Sequence, residues 1–165
     1  MFADLISLHI IIPILGALLN VLCRKKLRWA NIITICSLSL LCFASLFTLL
    51  FVSKINEYSY SFGRWSAPFG IEFKINYYGE LFITLISFAA LCCFLYGKDL
   101  LKTQIDHIRI PMFYALFLIC IFGLYGIILT NDFFSFYVFI EINSLATYAL
   151  VSWNSSNRNS LLAAF

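Results

Sequence analysis

Apolar runs long enough to cross a lipid bilayer recur five times along the chain, separated by short polar breaks. A helix needs about 20 apolar residues to span the hydrocarbon, and the pattern predicts helices over residues 5–23, 29–52, 78–97, 111–129 and 132–153. Pro13 and Gly16 interrupt the first run only mildly. Pro111 suits the first turn of the fourth helix, where its missing N–H has no intrahelical partner to lose. After the polar stretch 154–159, residues 160–165 read as the opening of a sixth helix. The longest connection, 53–77, has a different rhythm. Tyr58, Tyr60, Phe62, Trp65, Phe69, Ile71, Phe73 and Ile75 recur at near-alternate positions around Ala67-Pro68 and Phe69-Gly70. Alternation about a central turn predicts a β-hairpin or extended flap, with its aromatics at headgroup level or against neighbouring helices.

Composition excludes a soluble domain of this length. Of 165 residues, 62% are hydrophobic and 12% charged, against roughly 45–50% and about 25% in globular domains. Eighteen Phe, nine Tyr and three Trp present more apolar area than one small core can bury. The predicted fold class is therefore all-α and polytopic: about five transmembrane helices in a single membrane domain, with the hairpin between helices two and three. The net charge of +3 gives no sign of a nucleic-acid partner. Cys23, Cys36, Cys42, Cys92, Cys93 and Cys120 all fall in apolar stretches without a CxxC pair, so they read as small hydrophobes buried among helices and indicate neither disulfides nor zinc. The N-terminus lacks a basic region and a small-residue cleavage site and does not read as a signal peptide.

Basic residues set the expected orientation. With the loop Arg24–Arg28 inside, the inside collects Arg24, Lys25, Lys26, Arg28, Lys98, Lys102, Arg109 and Arg158, and the outside holds Lys54, Arg64 and Lys74. This predicts a multi-pass protein of the cell (inner) membrane, its N-terminus outside and its C-terminus cytoplasmic.

One charge does not fit a membrane edge. Glu141 lies roughly 13–18 Å from either end of its predicted helix at 1.5 Å per residue, near the bilayer midplane. The helix cannot slide to free it, because 154–159 is too polar to enter lipid. An acidic residue at that depth costs on the order of 2.5–3.5 kcal/mol on insertion scales, so something must offset the cost. Tyr137, Ser144 and Tyr148 share the Glu141 face at helical spacing, with Asn143 and Thr147 at its border. Phe136, Phe139, Ile140 and Leu150 form the opposite side, expected to meet apolar neighbours. A carboxyl tuned by burial and by nearby cations can relay protons, which makes Glu141 the candidate proton-handling residue; a protonated Glu present only for packing is the competing reading.

Glu80 and Asp132 are expected at outward-facing membrane edges, where solvation explains them, although either could stand at a proton mouth. His9, about a turn into the first helix, reads as interfacial or hydrogen-bonded, and His107 as part of a solvated loop with Asp106 and Arg109. No cofactor or metal motif is present, and the Walker A, GxSxG, HExxH and Rossmann patterns are all missing, so soluble-type catalysis has no support.

Two segments resemble a known family. Residues Phe62-Gly63-Arg64-Trp65-Ser66-Ala67-Pro68-Phe69-Gly70-Ile71-Glu72 are similar to the GGW-x-x-P-x-GIE outer hairpin of proton-conducting antiporter-like subunits. Residues 129–148, containing Thr130-Asn131-Asp132-Phe133-Phe134 and Val138-Phe139-Ile140-Glu141-Ile142-Asn143-Ser144-Leu145, resemble their TGDxFNxxVFxEIxSLxxY fifth helix. Leu162-Ala163-Ala164-Phe165 is similar to the AAF that opens the next helix. Such subunits occur in Mrp-type multisubunit Na+/H+ antiporters and in the membrane arm of complex I, the NADH:quinone oxidoreductase, and the style here is closest to the D-type subunits of the antiporters. Arg64, Asn76 and Asn131 depart from the family pattern at a glycine, an acidic position and a glycine.

The resemblance implies a subunit of about fourteen helices with two inverted five-helix repeats, of which this chain matches the N-terminal part. It also implies that Glu141 inherits the role of a glutamate that modulates lysines on later helices. The expected function is thus a component of a monovalent cation/proton antiporter, exchanging protons with Na+ or K+ alongside other membrane subunits. Two alternatives stay open: the equivalent piece of a complex I pump subunit, and a non-transporting remnant.

Overall fold

The computed structural model describes residues 2–24, 26–53, 57–61, 72–104 and 106–153. Among the described residues, five helices follow one another: α1 (Phe2–Leu22), α2 (Leu27–Val52), α3 (Tyr77–Gln104), α4 (Ile110–Leu129) and α5 (Phe133–Val151), with strands β1 (Glu57–Ser61) and β2 (Glu72–Asn76) between α2 and α3. α2 to α5 are each long and apolar enough to cross a membrane, and Ser7–Leu22 is the described apolar stretch of α1. The protein is an all-α, multi-pass membrane protein with a hairpin between its second and third helices. The hairpin tip, with Ala67-Pro68 and Phe69-Gly70, and the end of the chain from residue 154 lie outside the described residues.

α1 and α2, α3 and α4, and α4 and α5 follow one another closely along the chain, whereas the hairpin separates α2 from α3. α4 sits at the centre of the bundle, packed against α1, α2, α3 and α5, whereas α5 leans chiefly on α4. Tyr114, Leu118, Ile121, Tyr125 and Leu129 are buried along α4, with Ile12, Leu38, Leu41 and Ile83 from the first three helices. Two glycines allow α5 to approach α4 closely. A Cβ on Gly126 would lie 2.1 Å from the Phe139 ring, and one on Gly123 would lie 3.1 Å from the Asn143 backbone. Bare backbone at these positions allows the close helix contact by which membrane helices associate in the absence of a hydrophobic drive.

α3 runs past the predicted boundary at residue 97 and carries Lys98, Asp99 and Lys102 on its last turns. The apolar pattern stops at the edge of the hydrocarbon, but the backbone hydrogen bonds do not. Long charged side chains can continue a helix into the interface with their heads in water, and Lys102 Nζ meets Asp99 Oδ1 at 2.6 Å. The cysteines depart from expectation as well: Cys36, Cys92 and Cys93 are exposed, the other three are half-buried, and all six are free. In a lipid-facing helix a thiol on the outer surface costs little, so an apolar stretch does not place it in the interior.

The hairpin follows the predicted alternation. β1 and β2 pair antiparallel with Tyr58 opposite Ile75 and Ser59 opposite Lys74, and Phe73 and Ile75 point inward and are buried. The Phe73 ring lies 6.2 Å from that of Phe139 on α5, so this aromatic packs against a helix. The α4–α5 turn adds to the sheet, since Thr130 bridges to Phe73 and the Asn131 N–H donates to the Glu72 carbonyl at 2.9 Å. At the hairpin exit, Asn76 Oδ1 accepts from the Gly79 N–H at 2.7 Å, satisfying an otherwise orphaned donor at the start of α3.

Candidate functional site

Glu141 is one residue from the middle of α5, about 12–15 Å from each end at 1.5 Å per residue. This position matches the sequence pattern, but its burial does not: Glu141 is exposed on the outer face of α5. The helix meets α4 through Ser135, Phe139 and Ala146, which are buried. Cys120 Sγ contacts Asn143 Oδ1 at 3.2 Å and Thr147 Oγ1 at 3.6 Å, so these two polar residues turn to α4. Tyr137 is hydrogen-bonded to Glu141, and Tyr137 and Tyr148 are 63% and 55% exposed. Ser144 is half-buried. Phe136 and Ile140, expected on the packed side, are exposed instead. In lipid, both a core contact and an outer contact call for apolar side chains, so hydrophobicity alone does not separate them.

Asp132 is the N-cap of α5. Its Oδ1 accepts from the Ser135 N–H at 2.7 Å, and Thr130 Oγ1 lies 3.3 Å from its Oδ2. Burial works against its charge, but the Ser135 backbone and hydroxyl, the Glu72 backbone and the Thr130 hydroxyl together hold the carboxyl below the usual carboxylate range. Asp132 and Glu141 stand at the start and the middle of one helix. No described residue links them through hydrogen bonds.

A second cluster of polar residues lies on the other side of α4. Glu80, expected at a solvated edge, is fully buried, as is His9. Glu80 is the fourth residue of α3, and the hairpin starts that helix so that its first turn faces the bundle. There His9 Nε2 lies 3.3 Å from Glu80 Oε1, and the Thr48 hydroxyl of α2 donates to the same oxygen. Ser87, two turns along α3, contacts Ser45 Oγ at 3.2 Å and the Tyr125 hydroxyl at 2.5 Å. The Tyr125 ring packs edge-on against His9 at 6.0 Å between centroids. A second buried polar contact, Asn20 Nδ2 to Thr34 Oγ1 at 3.0 Å, ties α1 to α2 nearer their other ends. The signal was present as spacing: Ser45 and Thr48, and Glu80, Thr84 and Ser87, fall three or four residues apart and form a polar stripe on α2 and on α3.

Over 156 residues the chain is 33% identical to the protein named antiporter subunit mnhD2 of Staphylococcus haemolyticus, covering 94% of this chain and 31% of that protein. The namesake in Staphylococcus epidermidis is 30% identical over 94% of this chain and 31% of its own length. The fold is that of a chain in the membrane-bound sulfane sulfur reductase, an archaeal respiratory membrane complex, with a TM-score of 0.85 at 22% identity over 96% of this chain and 32% of the other. It is also that of a chain in the Mrp complex from Dietzia sp. DQ12-45-1b, with a TM-score of 0.82 at 22% identity over 92% and 27%. No family model matches. The sequence spans about a third of the length of the relatives it matches.

Proposed function

We propose that this chain, a homologue of Mrp-type antiporter D subunits over nearly its whole length, works as part of a multisubunit monovalent cation/proton antiporter in the cell membrane, with Glu141 as its proton-handling carboxylate. The observation that carries this reading is the outer face of α5. A carboxylate held by the Tyr137 hydroxyl at mid-helix and facing away from its own bundle is costly against lipid. It becomes useful when further helices cover it and form a polar path. The rest of the relatives' length, beyond the 31% matched here, is where such helices would lie.

Within that path, Glu141 would take up a proton on one carboxylate oxygen and release it to an acceptor on the covering helices. Tyr137 would fix the carboxylate, with Ser144 and Tyr148 along the same face and Asp132 at the mouth. A second reading, part of a redox-driven proton pump, is favoured by the fold shared with the archaeal respiratory complex. The test is mild solubilisation of a tagged chain from its own membranes and identification of what travels with it. Recovery of antiporter subunits is the expected result. Recovery of redox subunits would replace the first reading by the second, and recovery alone would overturn both.

The orientation follows from the same reading. Arg24, Lys26, Arg28, Lys102 and Arg109 sit at the ends of α1 and α3 and the beginnings of α2 and α4, all opposite the hairpin. Their gathering there supports a cytoplasmic end of the bundle and an outside hairpin. In a chain freed of its native cysteines, Ser61→Cys should react with a membrane-impermeant thiol reagent applied outside, and Thr103→Cys should stay unlabelled. The reverse pattern would overturn this topology.

A further inference from the structure

A buried acid and a buried base meet inside the bundle, in a place that the proposed role of Glu141 does not use. His9 and Glu80 are both fully shielded, their Nε2 and Oε1 3.3 Å apart, and each comes from a different helix. Burying one ionised group without a partner is expensive. A carboxylate beside an imidazolium, or a carboxylic acid beside a neutral imidazole, carries no net charge and lowers that cost. Both states contain the same single proton. Thr48 anchors Oε1 through its hydroxyl, which keeps the carboxyl turned toward His9. The other oxygen, Oε2, is buried without a hydrogen-bond partner among the described residues. One oxygen of the carboxyl is therefore held, and the other has its hydrogen-bonding capacity unused.

Tyr125 from α4 packs its ring against His9, and Cys42 from α2 lies within electrostatic reach of Tyr125. Tyr125 is itself held by Ser87, which reaches Ser45. Hydroxyls from three helices thus border the dyad. Each can donate to one neighbour while accepting from another, as a proton relay requires. An alkali cation calls for a shell of several oxygens in place of its water, whereas here an imidazole nitrogen occupies the approach to Oε1. The ligand that fits is a proton.

We infer that His9 and Glu80 form a second proton-holding site of this protein, at the hairpin end of the α1–α4 bundle and separate from Glu141. In the transfer, the O–H bond at Glu80 Oε1 breaks and an N–H bond forms at His9 Nε2, giving carboxylate and imidazolium. The return step restores two neutral groups, and no electrons are exchanged. The pair gains or loses a proton to its surroundings as one unit, so its titration belongs to both residues.

The chain has two histidines, and His107 is exposed in the α3–α4 connection, which gives the experiment its own reference. The intact chain, with nitrogen-15 in its histidine rings and carbon-13 in its glutamate carboxyls, is placed in lipid nanodiscs and followed by NMR between about pH 5 and about pH 9. The His9 ring nitrogens and the Glu80 carboxyl carbon should respond together over one pH interval, with the His107 ring as the solvent-exposed reference. Glu80→Gln should then change the His9 response, and Glu141→Gln should leave it in place. A His9 ring that keeps one charge state and one tautomer throughout would overturn the inference, as would a ring that titrates with no response at Glu80. Both are read on the unmutated chain, so the outcome does not depend on whether Glu80→Gln folds. A merely structural contact would hold the helices together and show no shared titration.

Discussion

Glu141→Gln in the assembled transporter should abolish most cation/proton exchange, by about tenfold or more, while leaving the amount of chain in the membrane near that of the unmutated protein. A tenfold loss corresponds to about 1.4 kcal/mol, well within what removing a proton-carrying group can cost. Glutamine has almost the volume of glutamate, and its side-chain carbonyl can still accept from Tyr137, so the helix keeps its shape. It cannot release a proton. Glu141 makes no contact that holds α5 to α4, a task that falls to Phe139 against Gly126 and Asn143 against Gly123. The substitution therefore separates chemistry from folding. Tyr137→Phe should have a smaller effect, because it frees the carboxylate without removing it. Dye-quenching assays in everted vesicles, with immunoblots for chain level, would measure both. Undiminished exchange in the Gln variant would remove Glu141 from the pathway.

The contrast between Glu141 and Glu80 marks how far the sequence could be read. Helix number, hairpin and the mid-helix position of Glu141 all follow from run length and from alternation between Tyr58 and Ile75. These depend on one segment at a time. Which side of a helix faces its neighbours depends on several segments at once. Phe136, Phe139 and Ile140 are equally apolar, yet only Phe139 is buried, because Gly126 opens a place for it on α4. In a soluble protein the exposed side would have been polar and the face would have declared itself. In lipid it has no reason to be.

Polar residues carry the information that apolar ones lack. A membrane helix that keeps Ser45 and Thr48 one turn apart, or Glu80 and Ser87 two turns apart, must satisfy them against other helices. Taken in that way, the stripes on α2 and α3 predict a common interior. What they do not reveal is His9, whose partner lies on a helix separated from it by α2 and the whole hairpin. The dyad exists only because the hairpin returns the chain so that α3 begins beside the start of α1 and the end of α2.

Taking the dyad apart one residue at a time should therefore be far more damaging than removing it whole. Glu80→Leu leaves His9 and the Thr48 hydroxyl facing an apolar side chain, and His9→Leu leaves the Glu80 carboxyl with no base beside it. Removing one member of a buried charged pair costs about 3–5 kcal/mol, so each single variant should lose stability on that scale. The double variant places two well-sized apolar groups against each other in a bundle that lipid already surrounds, and replacing a whole buried pair in this way is often neutral or better. The expected double-mutant cycle then has a coupling of about 2 kcal/mol or more, larger than the few tenths found for independent sites. Unfolding in mixed micelles, followed by tryptophan fluorescence, would measure it. A double variant as unstable as the sum of its singles would mean that His9 and Glu80 are neighbours without being a pair. The same cycle in Thr48→Val sets the scale for a lost hydroxyl alone, at about 1 kcal/mol. If the dyad's coupling exceeds that value, the bundle keeps these two residues in a poised geometry whose stability depends on both, a requirement that a simple apolar contact would meet more cheaply.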